Sequence, residues 1–236
     1  MMNDNIEAVF RMTKDGQEYY SRTDVYSVAE YAYGKLDSTK ASDTAELKAI
    51  CANLLRYGSM AQTQFGYRTD ALVDANMTDA HKAFLTDLST VEMKDYRKQL
   101  SDLDTVIVPW KSTTLELGNK VIMCLIANLA NYAGDPSELT MRLNYTDAKG
   151  VAVTEERPLA LYNPEALTYA VSYDGLRATE MRSVVSAAIY RNGERVSKTV
   201  EYSIESYGAR SKDPAMQDLC RAMLAYGDAA NAFFAN

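Results

Sequence analysis

Residues 47–65 and 216–234 align at a constant offset of 169, with identities at Cys51/Cys220, Leu55/Leu224, Tyr57/Tyr226, Gly58/Gly227, Ala61/Ala230 and Phe65/Phe234. An internal repeat constrains the fold more than any single motif, because one local structure has to serve both copies. Upstream, Tyr26-Ser27-Val28-Ala29-Glu30-Tyr31 matches Tyr202-Ser203-Ile204-Glu205-Ser206-Tyr207 at offset 176, so the linker is seven residues shorter in the second copy. Further upstream, the apolar run ending in Asp15-Gly16 resembles the run ending in Asn192-Gly193. Both dipeptides favour a two-residue hairpin, since that turn needs positive φ at both central positions.

The repeated unit therefore reads as hairpin, short helix, linker, long helix. Ser27 and Ser203 are placed to cap the short helices, with Glu30 completing a capping box, and Tyr26/Tyr31 and Tyr202/Tyr207 are spaced as hydrophobic staples. The long helices are expected over 44–65, capped by Asp43 with Glu46 in the return position, and over 214–235, capped by Asp213 with Pro214 at the first helical position. Leu47, Ile50, Cys51, Leu54, Leu55, Gly58, Ala61 and Phe65 form one stripe of helical period, mirrored in the second copy. A glycine inside a helix costs about 1 kcal/mol against alanine. Gly58 and Gly227 at matched positions thus predict close approach of another backbone.

Residues 66–103 read as a connector, with a helix from Thr78 to about Leu88. From 104 to 202, runs at 105–108, 113–117, 121–129, 139–145, 151–161, 167–173, 184–190 and 195–202 alternate with turn signals and lack helix-length crossovers. Short strands so spaced predict an antiparallel arrangement. The expected fold class is α+β: an antiparallel β-sandwich, immunoglobulin-like in general architecture, with flanking helical hairpins and an N-terminal β-hairpin. Its expected divisions are 1–103 (β-hairpin plus helical region), 104–202 (sandwich) and 203–236 (helical pair repeating 27–65).

Composition narrows function by exclusion. With 25 Lys plus Arg against 32 Asp plus Glu in 236 residues, the net charge of −7 repels nucleic acid and anionic lipid. No apolar stretch approaches the roughly 18 residues of a membrane span. Residues 1–5 show no secretory leader, which fits a cytosolic protein or an excised segment. Cys51, Cys124 and Cys220 match neither a zinc pattern nor a disulfide framework and read as reduced core thiols; a Cys51–Cys220 bridge would need Cα atoms within about 7 Å.

The chain resembles a module that recurs in large secreted and cell-surface proteins of gut anaerobic Gram-positive bacteria. The resemblance rests on Tyr26-Ser27-Val28 with Tyr31-Ala32, Leu54-Leu55 through Tyr57-Gly58, Ala61-Gln62, Phe65-Gly66-Tyr67 with Thr69-Asp70, Thr78-Asp79, Thr114-Leu115-Glu116-Leu117, Tyr202-Ser203-Ile204, and Tyr226-Gly227 with Ala229-Ala230. It implies no catalytic residues. It does imply an extracellular or cell-surface location, neighbouring modules in a longer exported chain, and a start within the closing hairpin and helices of one module. Where such modules show an arginine and aromatics after the Thr-Leu-Glu-Leu run, this chain has Asn119-Lys120-Val121-Ile122-Met123-Cys124, so no ligand role carries over to that strand.

The chemistry-bearing residues point the same way. His81, the only histidine, reads as a solvated residue of a connector helix. Asp102/Asp104 and Glu155/Glu156 are the carboxylate pairs a glycosidase-like hydrolase would draw on, and they read as solvated charge. Asp70, Asp74 and Asp79 lack the spacing and central glycine of a calcium loop. The remaining candidates are aromatic: Trp110, Tyr132, Tyr145, Tyr162 and Tyr173, near strand ends, either present a surface to a sugar or peptide or fill the sandwich core. The expected function is a non-catalytic spacer or adhesion module, with a glycan or surface protein as partner, no cofactor or metal, no nucleic acid and no membrane insertion; a carboxylate-dependent hydrolase is the alternative.

Overall fold

The computed structural model describes residues 2, 4–96, 103–118, 120–174 and 176–235, and of Asp24 only the backbone. Antiparallel sheets and five helices make up the fold among the described residues. Two ribbons come first: β1 (Ile6–Ala8) pairs with β4 (Asp24–Tyr26), and β2 (Arg11–Lys14) with β3 (Gln17–Tyr20). Asp15 and Gly16 turn the second ribbon at φ of 53° and 77°. Helices α1 (Val28–Leu36) and α2 (Ala45–Phe65) follow, then the single turn α3 (Asp79–Lys82).

The next strands are β5 (Trp110–Leu117), β6 (Val121–Asn128), β7 (Leu139–Thr146), β8 (Ala152–Pro158), β9 (Ala160–Asn163), β10 (Thr168–Tyr173), β11 (Val185–Arg191), β12 (Glu194–Arg195) and β13 (Val200–Tyr202). One sheet has the order β5-β6-β10-β9; the other has β12-β11-β7-β8, with β13 also on β11. Every pairing is antiparallel. Helices α4 (Ile204–Arg210) and α5 (Pro214–Phe234) close the chain. Period-two alternation sends Leu115, Met123, Leu125 and Val171 of the first sheet and Leu139, Met141, Leu143 and Ile189 of the second into one buried cluster, which Leu219, Met223 and Leu224 of α5 complete. Burying one such side chain contributes about 1.5–3 kcal/mol. The helical pair of residues 203–235 therefore shares a core with the sheets.

Three of the four expected caps form. The Ser27 hydroxyl accepts the Glu30 N–H, Ser203 accepts that of Ser206, and Asp213 accepts that of Ala215 beside Pro214. The Tyr26 and Tyr31 rings meet at 6.1 Å. The start of α2 differs: Thr44 is the N-cap, accepting from Leu47 N–H, because Asp43 instead pairs with Lys35 at 2.8 Å. The helices α2 and α5 run antiparallel, with Gln64 near the end of one donating to Asp213 at the start of the other, 3.1 Å apart. Between them the equivalent residues Tyr57 and Tyr226 stack at 6.1 Å and 21°. Equivalent residues meeting each other imply a local two-fold relation between the copies.

A β-carbon added at Gly227 would lie 2.6 Å from Met181 Cβ and 3.0 Å from the Ala178 carbonyl oxygen, which is the expected backbone approach. At Gly58 the neighbours are side chains instead, Met2 Sδ at 2.5 Å and Val73 Cγ2 at 2.9 Å. The connector helix stops at Lys82 rather than Leu88. Two side chains of α2 draw off the carbonyls beyond it: Arg56 donates to Thr86 O at 2.7 Å and Asn53 to Phe84 O at 3.5 Å. The run 105–108 is not a strand either, since the N–H groups of Ile107 and Val108 both turn to the Val196 carbonyl.

Candidate functional site

The five aromatic candidates are not brought onto one face. Trp110 is half-buried against the core, and its indole N–H donates to the Lys198 carbonyl at 2.7 Å. Tyr132 also packs on the core, with a buried hydroxyl that has no hydrogen-bond partner among the described residues. Tyr173 is a core ring, in contact with Tyr145 at 4.7 Å. This pair lies at the Met123 end of β6, whereas Trp110 sits opposite Ala127 at the other end. Of the five, Tyr162 alone is exposed, at 50%, on the edge strand β9. Burial raises the Tyr173 hydroxyl to about 12.

A cleft of about 660 Å³ lies elsewhere, between the last turns of α2 and the end of β5. Met2, Tyr57, Phe65, Tyr67, Leu117 and Leu219 are among its walls. Gly66 ends α2 in the left-handed conformation at φ 64°, which lets the Tyr67 N–H return to the Gln62 carbonyl. The buried Gln62 side chain then ties down the loop beyond: it donates to the carbonyls of Arg68 and Ala71 at 3.2 and 3.1 Å and accepts the Val73 N–H at 2.9 Å. With its polar atoms so used, the loop holds Phe65 and Tyr67 partly exposed. Arg68 at the rim pairs with Asp4 at 3.1 Å. A shallower hollow of about 410 Å³ shares Tyr57 and Gly118 with the cleft and carries Arg177 and the Lys120–Asp174 pair, 3.1 Å apart. Sequence reasoning did not single out this site, although its signal was present in the aromatics flanking the helix-ending glycine, Phe65-Gly66-Tyr67.

The reactive groups are engaged elsewhere. His81 is buried, not solvated: its Nδ1 accepts the Thr78 N–H at 3.4 Å and its Nε2 lies 2.8 Å from an Asp37 oxygen. Such a pattern fixes the tautomer with Nε2 donating and leaves no ring nitrogen for a substrate proton. Glu155 and Glu156 sit on opposite faces of β8, held by Arg157 at 2.7 Å and by Arg142. Asp102 lies outside the described residues. Among the described residues no three His, Cys, Asp or Glu side chains gather as metal ligands. All three cysteines are free and buried, and desolvation raises the Cys51 thiol to about 11 and Cys220 to about 12. Cys124 is raised as well, between Glu116 and Ser172 on the first sheet. A thiol reagent at pH 8 is therefore expected to label none of the three within minutes without denaturant, and all three once the chain is unfolded.

Comparison with known protein families, with curated proteins and with solved structures finds no match. No helix among the described residues is long and apolar enough to cross a membrane.

Proposed function

We propose that the protein is a non-catalytic module of an extracellular or cell-surface protein, a spacer or adhesion unit whose two sheets form an immunoglobulin-like sandwich and whose exposed aromatic side chains meet a glycan or a protein. One observation carries this reading: the cleft of about 660 Å³ is walled by Tyr57, Phe65 and Tyr67, and the charged side chain lining it is Arg68, paired with Asp4, rather than convergent carboxylates. Such a cleft offers flat rings and hydroxyls to a sugar face or an apolar side chain, but no nucleophile and no general acid–base pair. The hydrolase alternative draws less support, because Glu155 and Glu156 are each neutralised by an arginine and point apart.

Titration of the chain with a panel of plant and mucin glycans, followed by tyrosine and Trp110 emission and by product analysis, tests the reading. Binding without turnover is expected, weakened about tenfold by Tyr67→Ala. Trp110→Ala should weaken it little, since the indole is tied to Lys198. Hydrolysis of a panel member, abolished by one Asp or Glu substitution, would move the protein to the enzyme class.

A further inference from the structure

The two copies differ most where their residues correspond best. The pairing Ile6↔Tyr26 repeats Val185↔Tyr202, with Tyr26 equivalent to Tyr202, so β1 is the counterpart of the first half of β11 and β4 of β13. A side-chain bond fixes the register: the Ser21 hydroxyl accepts the Phe10 N–H at 2.9 Å, as the Ser197 hydroxyl accepts the Ile189 N–H at 2.8 Å. Met2 lies on Gly58 as Met181 lies on Gly227. From Met2 to Phe10 the offset is therefore 179 throughout.

In the second copy these residues are core. Val185 and Ile189 are 0% exposed, Tyr202 is 1% and Ile204 is 0%, while their counterparts Ile6, Phe10, Tyr26 and Val28 are 67%, 74%, 49% and 44% exposed. The reason is visible in the pairing. The free edge of β11 is taken by β7, with Ser186↔Asn144, Ala187↔Leu143 and Ile189↔Met141, and the sheet β5-β6-β10-β9 lies over its apolar face. The corresponding edge of β1 is paired with nothing, and the corresponding face has no second sheet among the described residues. Unpaired edges with apolar faces are the surfaces natural sheets cover.

We propose that β1 to β4 are the closing strands of a further two-sheet β unit, joined to the chain ahead of Met2. That unit runs a strand of the β7 type antiparallel along residues 6–10, Ala8 opposite the counterpart of Leu143 and Phe10 opposite the counterpart of Met141. The second copy supplies the occupant's chemistry: an alternating strand with apolar residues inward and a facing sheet that buries Ile6, Phe10 and Tyr26. A second copy of this chain cannot supply that strand from its β7, both of whose edges are taken, by β11 and by β8. The proposal deepens the modular reading of the protein, and its readout is amide protection, which glycan binding and hydrolysis do not affect, so the two fail separately.

The test extends the full chain with a duplicate of its own residues 104–179 placed directly before Met1, which reproduces the spacing between β10 and β11. Hydrogen exchange of the amides of residues 6–10 is compared with that of the unextended chain, and a Phe10→Ile version matches the side chain to Ile189. Protection of these amides by at least about 100-fold in either extended chain is expected. Protection unchanged in both, whether or not the added unit folds, would overturn the proposal. So would concentration-dependent protection of the same amides in the unextended chain, which would place a second copy on this edge.

Discussion

Replacing Gly227 with leucine is expected to destabilise the protein by about 2–3 kcal/mol, seen as a melting temperature lower by roughly 5–10 °C. The first added carbon already meets Met181 Cβ at 2.6 Å and the Ala178 carbonyl at 3.0 Å, and neither can move without shifting backbone. Gly58 provides the contrast. There the nearest atom is the thioether sulfur of Met2, which can swing aside, while Val73 Cγ2 at 2.9 Å has to give; alanine's gain of about 1 kcal/mol in helix propensity offsets that, so Gly58→Ala is expected to cost less than Gly227→Ala. Equal melting temperatures for the two alanine variants would contradict the packing described at Gly227.

The second large effect is expected at Arg182. Its guanidinium holds Asp228 with two bonds, of 2.6 and 2.7 Å, and reaches the buried carboxylate of Glu205 at 2.7 Å. These bonds tie the segment after β10 to α5 and to α4. Among the described residues, Arg182→Ala leaves the buried Glu205 carboxylate with the Lys94 N–H at 3.3 Å as its remaining donor. Removing one partner of such a group costs more than the pair itself contributes. The arginine is partly exposed and solvent screens part of the effect, so the loss should be about 2 kcal/mol in chemical denaturation. Adding Glu205→Gln to the alanine variant should recover part of that loss, because the uncompensated charge is then gone. No change in denaturation midpoint for Arg182→Ala would contradict this role. The first copy has no such cluster: Ser59 stands at the position of Asp228 and Ala29 at that of Glu205.

The contrast between the Gly227 and Arg182 contacts also shows what a sequence makes legible. The caps at Ser27, Ser203 and Asp213, the Asp15-Gly16 and Asn192-Gly193 turns and the two long helices were readable because each depends on residues within four positions of one another. Asp43 and Thr44 are both competent caps, and only the distant Lys35 decides between them by taking the Asp43 carboxylate. The connector helix has helical residues to Leu88, but Asn53 and Arg56 compete for its carbonyls. His81 looks solvated until Asp37 is found beside it, 44 residues upstream. The candidate aromatic surface was least readable: period-two alternation tells which residues share a face, not which face is covered, and Tyr173 turned inward while Tyr162 on the edge strand turned out.

The duplication is the claim on which the rest stands, and hydrogen exchange of the unextended chain measures it directly. Both helical pairs, α1 with α2 and α4 with α5, should be protected in their centres, since each buries one apolar face. The strands should divide sharply. Amides of β11 and β13 are expected to exchange only through sub-global or global opening, while those of residues 6–26, which among the described residues have ribbon pairing but no second sheet, exchange by local fraying and at least about 100-fold faster. Equal protection of residues 6–26 and 185–202 would contradict the account of one closing unit present twice and covered once.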